Sequence, residues 1–581
     1  MSNDIKPARL RVADITDRAA RVAAFTVDVQ KKNGVAITDL NELADAAMQA
    51  ALKEPMFEGV DPRAVKRISS AWTSAIMEFQ NRTGDFPPAD LLANAHKCAE
   101  NLMLESAAKS HTGEGRAMFE SVSSDMSSSD GVLRLAQFVA LILPASLGAA
   151  TSDACTFVPC DRDEAKIYEL LNVAGTEFGD FKVGDELHMQ KAGKYSQLKR
   201  NYLFPSAVQP DGTKKVFTFN IKDVEGKEMP IRSGRTRLIV DRTPSTKPDQ
   251  GDGNLYFSGY DKAGAALEAS CKVGYDKGTV AVTFTTAPPV DTELAVQLEI
   301  NIEKAPGLIP VINQSMREYT LSPSQYVIAS EHTVMSASDA SREFGIQLQS
   351  VQFTAMRNWL SHEQDMTRLG IMAFFNKFKY DFDVALPEAQ NYDSWVALIR
   401  HRINEMSTDM VNRTRKSGIR GGFAGGEAAN FIKSLPPQFF QQDPDYVESP
   451  YVQYIGTLFG YIRIYEVPKA VCEQFVASGI DFSANEILFY GRGQNVGDAG
   501  LVAGDAVPAI PYIHETNPSL VNRTTMWGSA LNEIHPRQGQ NYFCKLTLTN
   551  SKVGSFNMLN GKLIEGEPKV EAPAEEPAAA K

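Results

Sequence analysis

Cysteine is scarce. The 581 residues hold six, Cys98, Cys155, Cys160, Cys271, Cys472 and Cys544, scattered and without a CxxC pair. That spacing excludes a disulfide framework and a recognisable structural zinc site, and it suits free thiols in a reducing compartment. The eight histidines fall in no HExxH or HxH pattern; His332, His362 and His401 lie on or near helical stretches without carboxylates at metal spacing. They are expected to be structural, and neither a metal nor a cofactor is expected. No GxSxG elbow is present, so spacing nominates no catalytic residue and the chain does not read as an enzyme. The longest apolar run, Phe138 to Leu147, falls short of the roughly 20 residues of a membrane helix, and no membrane partner is expected. The N-terminal MSNDIKPARLRVAD lacks the apolar core of a signal peptide, so a soluble protein made inside the cell is the expectation.

What is present describes a large globular chain. Hydrophobic residues make up 43% and charged residues 22%, which excludes wholesale disorder, and a formal charge of -12 argues against tight nucleic-acid binding by the whole surface. The length calls for two to four subdomains. Residues 1–110 read as three or four helices: Asp39 with Glu42 forms a capping box ahead of Leu43, Ala47 and Ala50, Asp61-Pro62 starts a second helix, and Pro88 to Leu104 repeats the pattern. Residues 111–131, HTGEGRAMFESVSSDMSSSDG, are rich in Ser and Gly and read as a linker. Within 132–177 an apolar segment is broken by Pro144, and a short strand follows with Cys155 and Cys160, read as small core residues rather than a redox pair.

Residues 178–204 have the polar, Gly-punctuated look of an extended hairpin. Between His188 and Arg200 stand Lys191, Lys194, Lys199 and Arg200 with Tyr195 and no acid, which suits a solvated arm or one pairing with acidic surface on a neighbouring subunit; nucleic-acid contact is the alternative. Residues 210–303 read as an inserted β-sandwich: Phe217, Phe219 and Ile221 alternate with polar residues, as do Val280, Val282 and Phe284, and Leu294, Val296, Leu298, Ile300 and Ile302 keep period two. The acidic loop from Asp249 to Asn254 lacks a downstream calcium-ligand Glu and reads as a turn.

The longest helical signal runs from Ser336 to Met366. Phe344, Leu348, Val351, Ala355, Met356, Trp359 and Leu360 recur at steps of three and four, with Ser336, Ser338 and Asp339 as cap candidates; one rod of about 45 Å is expected. A second helix spans Tyr392 to Lys416. The glycine-rich Gly418 to Phe440 lacks the Lys-Ser/Thr of a P-loop and a clear strand-to-helix pattern, and Gly491 to Gly497 is spaced GxGxxxG, so both read as loops rather than nucleotide cradles. The end, 565–581, is a Pro, Ala and Glu tail that cannot pack a core.

Three stretches carry a resemblance. TSDACTFVPCDRDEAKIYEL, Thr151 to Leu170, is similar to the strand after the N-terminal arm in the major capsid proteins of tailed phages, the family with the fold named for phage Hong Kong 97, with the T-even-like group nearest. Arg317 to Leu360 resembles the strand and short polar helix that lead into their spine helix. Tyr454 to Val471, with Gly456, Leu458, Gly460, Ile462 and Ile464, followed by Glu486 to Tyr512, resembles their closing strands, and Gly425 to Ser434 their axial glycine-rich turn. The likeness covers roughly residues 132 to 555; the inserted β unit has no counterpart in it.

The resemblance implies an α+β, HK97-like capsid fold: arm and first strand at 132–177, extended loop at 178–204, inserted β domain at 210–303, peripheral domain at 304–390 with spine helix 336–366, axial domain at 391–471, closing strands at 472–564 and the disordered tail. Residues 1–110 would stand as a scaffold-like extension. It implies a virion shell protein assembled in the host cytoplasm, forming hexamers and pentamers around double-stranded DNA that it touches weakly. Portal, scaffold, protease and decoration proteins would be its partners. Subunit contacts would fall on Lys191, Lys194, Tyr195, Lys199 and Arg200, and maturation cleavage after Glu105 or Glu120 in the linker. The alternatives are the shell of an encapsulin-like nanocompartment and, from another class, a nucleotide-binding enzyme using one of the glycine-rich loops.

Overall fold

The computed structural model describes residues 5–32, 35–37, 39–108, 129–161, 164–188, 196–262, 264–290, 292–346, 348–385, 391–493, 495–514, 520–550 and 559. The chain divides into two compact units, Met1–Glu169 with Glu318–Lys581, and Leu170–Arg317. Both helices and sheets build the first unit, and the second is almost wholly β. The fold class is α+β.

The first unit begins with helices α1 (Ile5–Thr26), α2 (Leu40–Ala51), α3 (Pro62–Thr83) and α4 (Ala89–Ala108), with a two-residue ribbon of β1 (Lys31–Lys32) and β2 (Val35–Ala36) between the first two. Local chemistry sets their ends. The Asp39 carboxylate accepts from Asn41 N at 2.9 Å, the Asp61 carboxylate from Arg63 N at 2.8 Å ahead of Pro62, and Gly84 closes α3 with φ 68°. Helix α5 (Ser129–Gly148) starts inside the expected linker and continues through Pro144, correcting the expected break there. Proline removes one backbone bond, and this helix ends a turn later in any case. Phe25, Phe57, Trp72 and Ile76 fill the helical core, with the Phe25 and Trp72 rings 5.8 Å apart, and the same core runs on through Phe157, Leu369, Phe423 and Tyr490. The helical block is therefore built into the first unit rather than strung from it.

Strand β3 (Cys155–Phe157) follows, and β4 (Ala165–Ala174) carries the chain into the second unit. There β5 (Lys199–Leu203), β6 (Val216–Asn220), the single turn α6 (Ile221–Glu225), β7 (Arg237–Val240), β8 (Thr243–Pro244), β9 (Asn254–Tyr260), β10 (Ala266–Gly274), β11 (Thr279–Phe284) and β12 (Leu294–Glu299) make two four-stranded sheets, ordered β6-β11-β10-β9 and β5-β12-β7-β8. Their inward residues form one core in which Leu294, Val296 and Leu298 are fully buried. The period-two pattern thus buries one face, as pleating requires. This unit is wider than the expected 210–303 because β5 pairs with β12, Arg200 opposite Leu298 and Tyr202 opposite Val296. The Asp249 carboxylate is buried, accepting from Gly234 N and Thr236 N, which fixes that loop as a turn.

The chain returns through β13 (Ile312–Leu321) and β14 (Ser324–Thr333) into α7 (Val334–Phe344) and α8 (Leu348–Phe375). The single rod expected over 336–366 is two helices. Thr333, not Ser336, caps α7 by accepting from Ser336 N at 3.1 Å, and Gly345 ends it with φ 65°, a left-handed conformation that favours glycine. Then come β15 (Lys379–Asp383), α9 (Tyr392–Thr414), β16 (Ile419–Gly425), α10 (Gly426–Lys433), β17 (Phe440–Gln442), β18 (Gln453–Leu458), β19 (Ile462–Val467), α11 (Lys469–Ala477), β20 (Glu486–Gly491), β21 (Leu501–Ile513), β22 (Val521–Ile534) and β23 (Phe543–Thr549). A mixed seven-stranded sheet runs β15-β23-β20-β16-β19-β18-β17, and a four-stranded sheet runs β14-β22-β21-β3. Trp395, Ile399, Met406 and Met410 of α9 pack with Phe431, Ile455, Ile464 and Leu546 in a second core. Among the described residues no helix is long and apolar enough to cross a membrane.

Candidate assembly surface

The glycine-rich segment at 418–440 does lead from strand to helix, β16 into α10, correcting the expected loop. A phosphate would seek the free amides at that helix start. The amides of Glu427 and Ala428 already donate to the Ala484 carbonyl, at 2.9 and 3.0 Å, and a Cβ on Gly425 would stand 2.6 Å from the same oxygen. The glycines therefore serve close packing: a Cβ at Gly421 or Gly422 would press on the rings of Tyr490 and Phe489. Past Gly491, which ends β20, the described residues up to Gly497 belong to no helix or strand, and Arg492 points inward. The Arg492 guanidinium donates to both carboxylate oxygens of Asp90 on α4, at 2.8 and 2.9 Å, while Asp90 also accepts from Phe157 N at 2.8 Å.

A second polar tie lies close by in sequence. Arg463 donates to Asp153 at 3.0 Å and Tyr490 Oη donates to the same carboxylate at 2.9 Å. Burial pushes Asp153 up, but the charges of Arg463 and Arg492 with the Tyr490 and Arg463 hydrogen bonds outweigh it and hold the carboxyl below its ordinary value. These groups are engaged with one another, and among the described residues no cluster of three or more His, Cys, Asp or Glu is arranged to hold a metal ion.

Of the nominated contact residues, Lys199 and Arg200 are among the described ones. Lys191, Lys194 and Tyr195 lie outside the described residues, as does Glu120, while Lys199 opens β5 on its exposed face. Arg200 is buried within the second unit: its guanidinium pairs with Glu225 at 3.0 Å and lies 4.4 Å from the centre of the Phe178 ring. Tyr202 Oη donates to the same Glu225 at 2.6 Å. Arg200 thus belongs to the β unit and not to a free arm, because alternation along β5 turns it toward the sheet's own core. Glu105, expected in a linker, sits in α4, where a protease would first have to unwind the helix.

The surface that sequence reasoning missed is made by β14, α7 and α8. Strand β14 is an edge of its sheet, paired with β22 on one side, and none of its ten residues is buried. Helix α7 has eleven residues and buries none of them. Met335 is 70% exposed, Phe344 71% and, on α8, Trp359 62%. Helix α8 is fixed on its other side, where Met356 and Leu360 pack with Met526 and where Asp365 accepts from Thr151 N at 3.2 Å and Arg368 donates to Asn532 at 2.7 Å. Burial raises the Asp365 carboxyl against the pull of those Thr151 bonds and the Arg368 charge. The apolar stripe is therefore divided: Met356 and Leu360 face inward, and Phe344, Val351 and Trp359 face out. Periodicity gave no signal of this, since positions 355, 356, 359 and 360 span about 140° of the helix, an arc that a core-facing helix also presents.

A family described as a domain of unknown function, DUF8615, matches residues 3–149, the stretch that holds α1 to α5. Protein IncB of Escherichia coli is 39% identical over 178 residues, which are 30% of this chain and 86% of that protein. The chain belongs to the IncB family. That relative is much the shorter protein, so the family relation spans less than a third of the present chain. Among solved structures, the capsid of Myoviridae phage XM1 is 9% identical with a TM-score of 0.28, covering 57% of this chain and 92% of that one. The acidic stable capsid of Helicobacter pylori bacteriophage KHP30 is 12% identical with a TM-score of 0.27, covering 43% and 78%. Mycobacterium phage Bobi gives 9%, 0.27, 56% and 90% in the same order. These are partial likenesses at low score.

Proposed function

We propose that this chain is the subunit of a closed protein shell, a major capsid protein of the HK97-like kind that assembles into hexamers and pentamers around double-stranded DNA. The observation that carries the reading is α7, an eleven-residue helix without one buried side chain. A helix that short is marginal in water by itself, and in proteins it is normally held by burying one face. With Val327, Val334, Met335, Phe344, Val351 and Trp359 exposed, the β14, α7 and α8 stretch leaves roughly 600 Å² of apolar surface open on typical side-chain areas, against about 800 Å² per partner in a standard interface. A surface of that size and kind is completed by another copy of the chain. The motif order from Thr151 to Tyr512 supports the same reading, in which the chain is part of the virion.

In this reading contacts are heterologous and close by rotation into rings. Lys199, with Lys191, Lys194 and Tyr195, meets acidic surface on a neighbour, and processing, where it occurs, follows Glu120. The test is sedimentation velocity of the wild type beside Met335→Ser and Trp359→Ala. The wild type runs as capsomers or shells and the variants as folded monomers. A wild type that stays monomeric at all concentrations refutes the proposal.

A further inference from the structure

The second unit carries a face that shell assembly does not explain. Strands β9, β10, β11 and β6 alternate strictly, with Leu255, Phe257, Leu267, Ala269, Val280, Val282, Phe217 and Phe219 turned to the core. Their alternate residues form the open face. Tyr256 lies opposite Ser270, which lies opposite Thr283; Ser258 lies opposite Glu268, and Tyr260 opposite Ala266. Tyr256 is 72% exposed and Tyr260 76%. Both stand on β9, the edge of the sheet, and four residues apart on one strand they are about 13 Å from each other. Two tall phenol rings therefore rise beside Ser258, Ser270, Ala266 and Thr283, with Glu268 and Lys272 on the same face.

We propose that this face binds a carbohydrate chain laid along β9. A sugar ring presents a C–H face, slightly positive, and a rim of hydroxyls. The C–H face stacks on the negative face of an aromatic ring, as edge-to-face aromatic pairs do. The rim needs groups that both donate and accept, which Ser258, Ser270 and Thr283 supply, while Glu268 accepts from two adjacent hydroxyls. A linear oligosaccharide reaches from Tyr256 to Tyr260 and repeats the same contact at each. A protein partner fits less well. The two tyrosines expose roughly 300 Å² between them, under half of the about 800 Å² per partner of a standard interface. The surface beside them has no apolar centre, since Val216 lies three strands away from Tyr256 across Ser270 and Thr283.

The experiment applies the full-length chain to an array of defined oligosaccharides, then titrates the strongest binder by calorimetry. Binding to at least one linear glycan is expected, weakened about tenfold or more by Tyr256→Ala and by Tyr260→Ala, and within about threefold of wild type for Tyr256→Phe, which keeps the ring. Binding to no glycan on the array overturns the proposal. So does glycan binding that survives both alanine variants together. A double alanine variant that stops assembling would make this face a subunit contact instead and would equally overturn it. The two glycan-binding outcomes do not depend on whether the wild type forms shells.

Discussion

Removing the Asp90 carboxylate is expected to destabilise the first unit severely. Asp90 is 4% exposed and receives Arg492 through both oxygens, Phe157 N at 2.8 Å and Thr156 Oγ1 at 3.2 Å. Asp90→Ala leaves the nearly buried Arg492 guanidinium without its counter-charge, a loss of about 3–5 kcal/mol for a broken buried pair. It also orphans the Phe157 amide, which belongs to the same range of cost as any buried donor left unmade, about 1–3 kcal/mol. Since the two overlap, about 4 kcal/mol in all is expected. With an m-value of about 3 kcal/mol per molar urea or more for a chain this large, the midpoint of the transition falls by about 1 M. The assay is urea unfolding followed by far-UV circular dichroism. Arg492→Met in the Asp90→Ala background removes the stranded charge and recovers part of the loss, so a double-mutant cycle yields a favourable coupling. A loss below about 1 kcal/mol for Asp90→Ala, or no coupling, would refute the claim that the N-terminal helices are locked into the sheet.

Three further outcomes follow from named groups. His96 is buried and, through that burial and the neighbouring Arg18 charge, lowered to about 4, so it is neutral when folded. The unfolded chain takes up the proton first, hence stability falls as pH drops from about 6.5 to 4, by up to about 3 kcal/mol, and His96→Gln removes that slope in urea titrations. Asp365 is raised by burial, so its carboxylate opposes folding above its ordinary range; Asp365→Asn is expected to match or exceed wild-type stability at pH 7 and to lose that advantage near pH 3. Gly425→Ala places a Cβ against Ala484 O, 2.6 Å away, and costs about 1–3 kcal/mol with no change in nucleotide binding, measured by thermal unfolding with and without ATP.

Alternation and caps were the parts of this fold open to reading in advance. Asp61-Pro62 starts a helix because the side chain and the missing amide both suit that position, and Leu294 to Ile300 bury one face because a strand turns alternate residues the same way. Three things were not legible. Gly345 ends α7 within a continuous apolar pattern, and periodicity carries no mark of a single left-handed residue. Arg200 belongs to the β unit through pairing of β5 with β12, a contact about a hundred residues away in sequence. The exposed side of α8 was not separable from its buried side, because a wide apolar stripe carries no mark of which residues are covered within the chain. The exposed apolar residues were thus named as part of one rod with no mark of which would face out, and the glycines of β16 concealed a strand-to-helix step whose amides are already satisfied.

The measurement that bears most directly on the account is negative-stain electron microscopy of the purified full-length chain, alone and coexpressed with its neighbours. Capsomer rings or closed icosahedral shells are the predicted result, absent in Trp359→Ala samples prepared the same way. A monodisperse, folded monomer under every condition would contradict it.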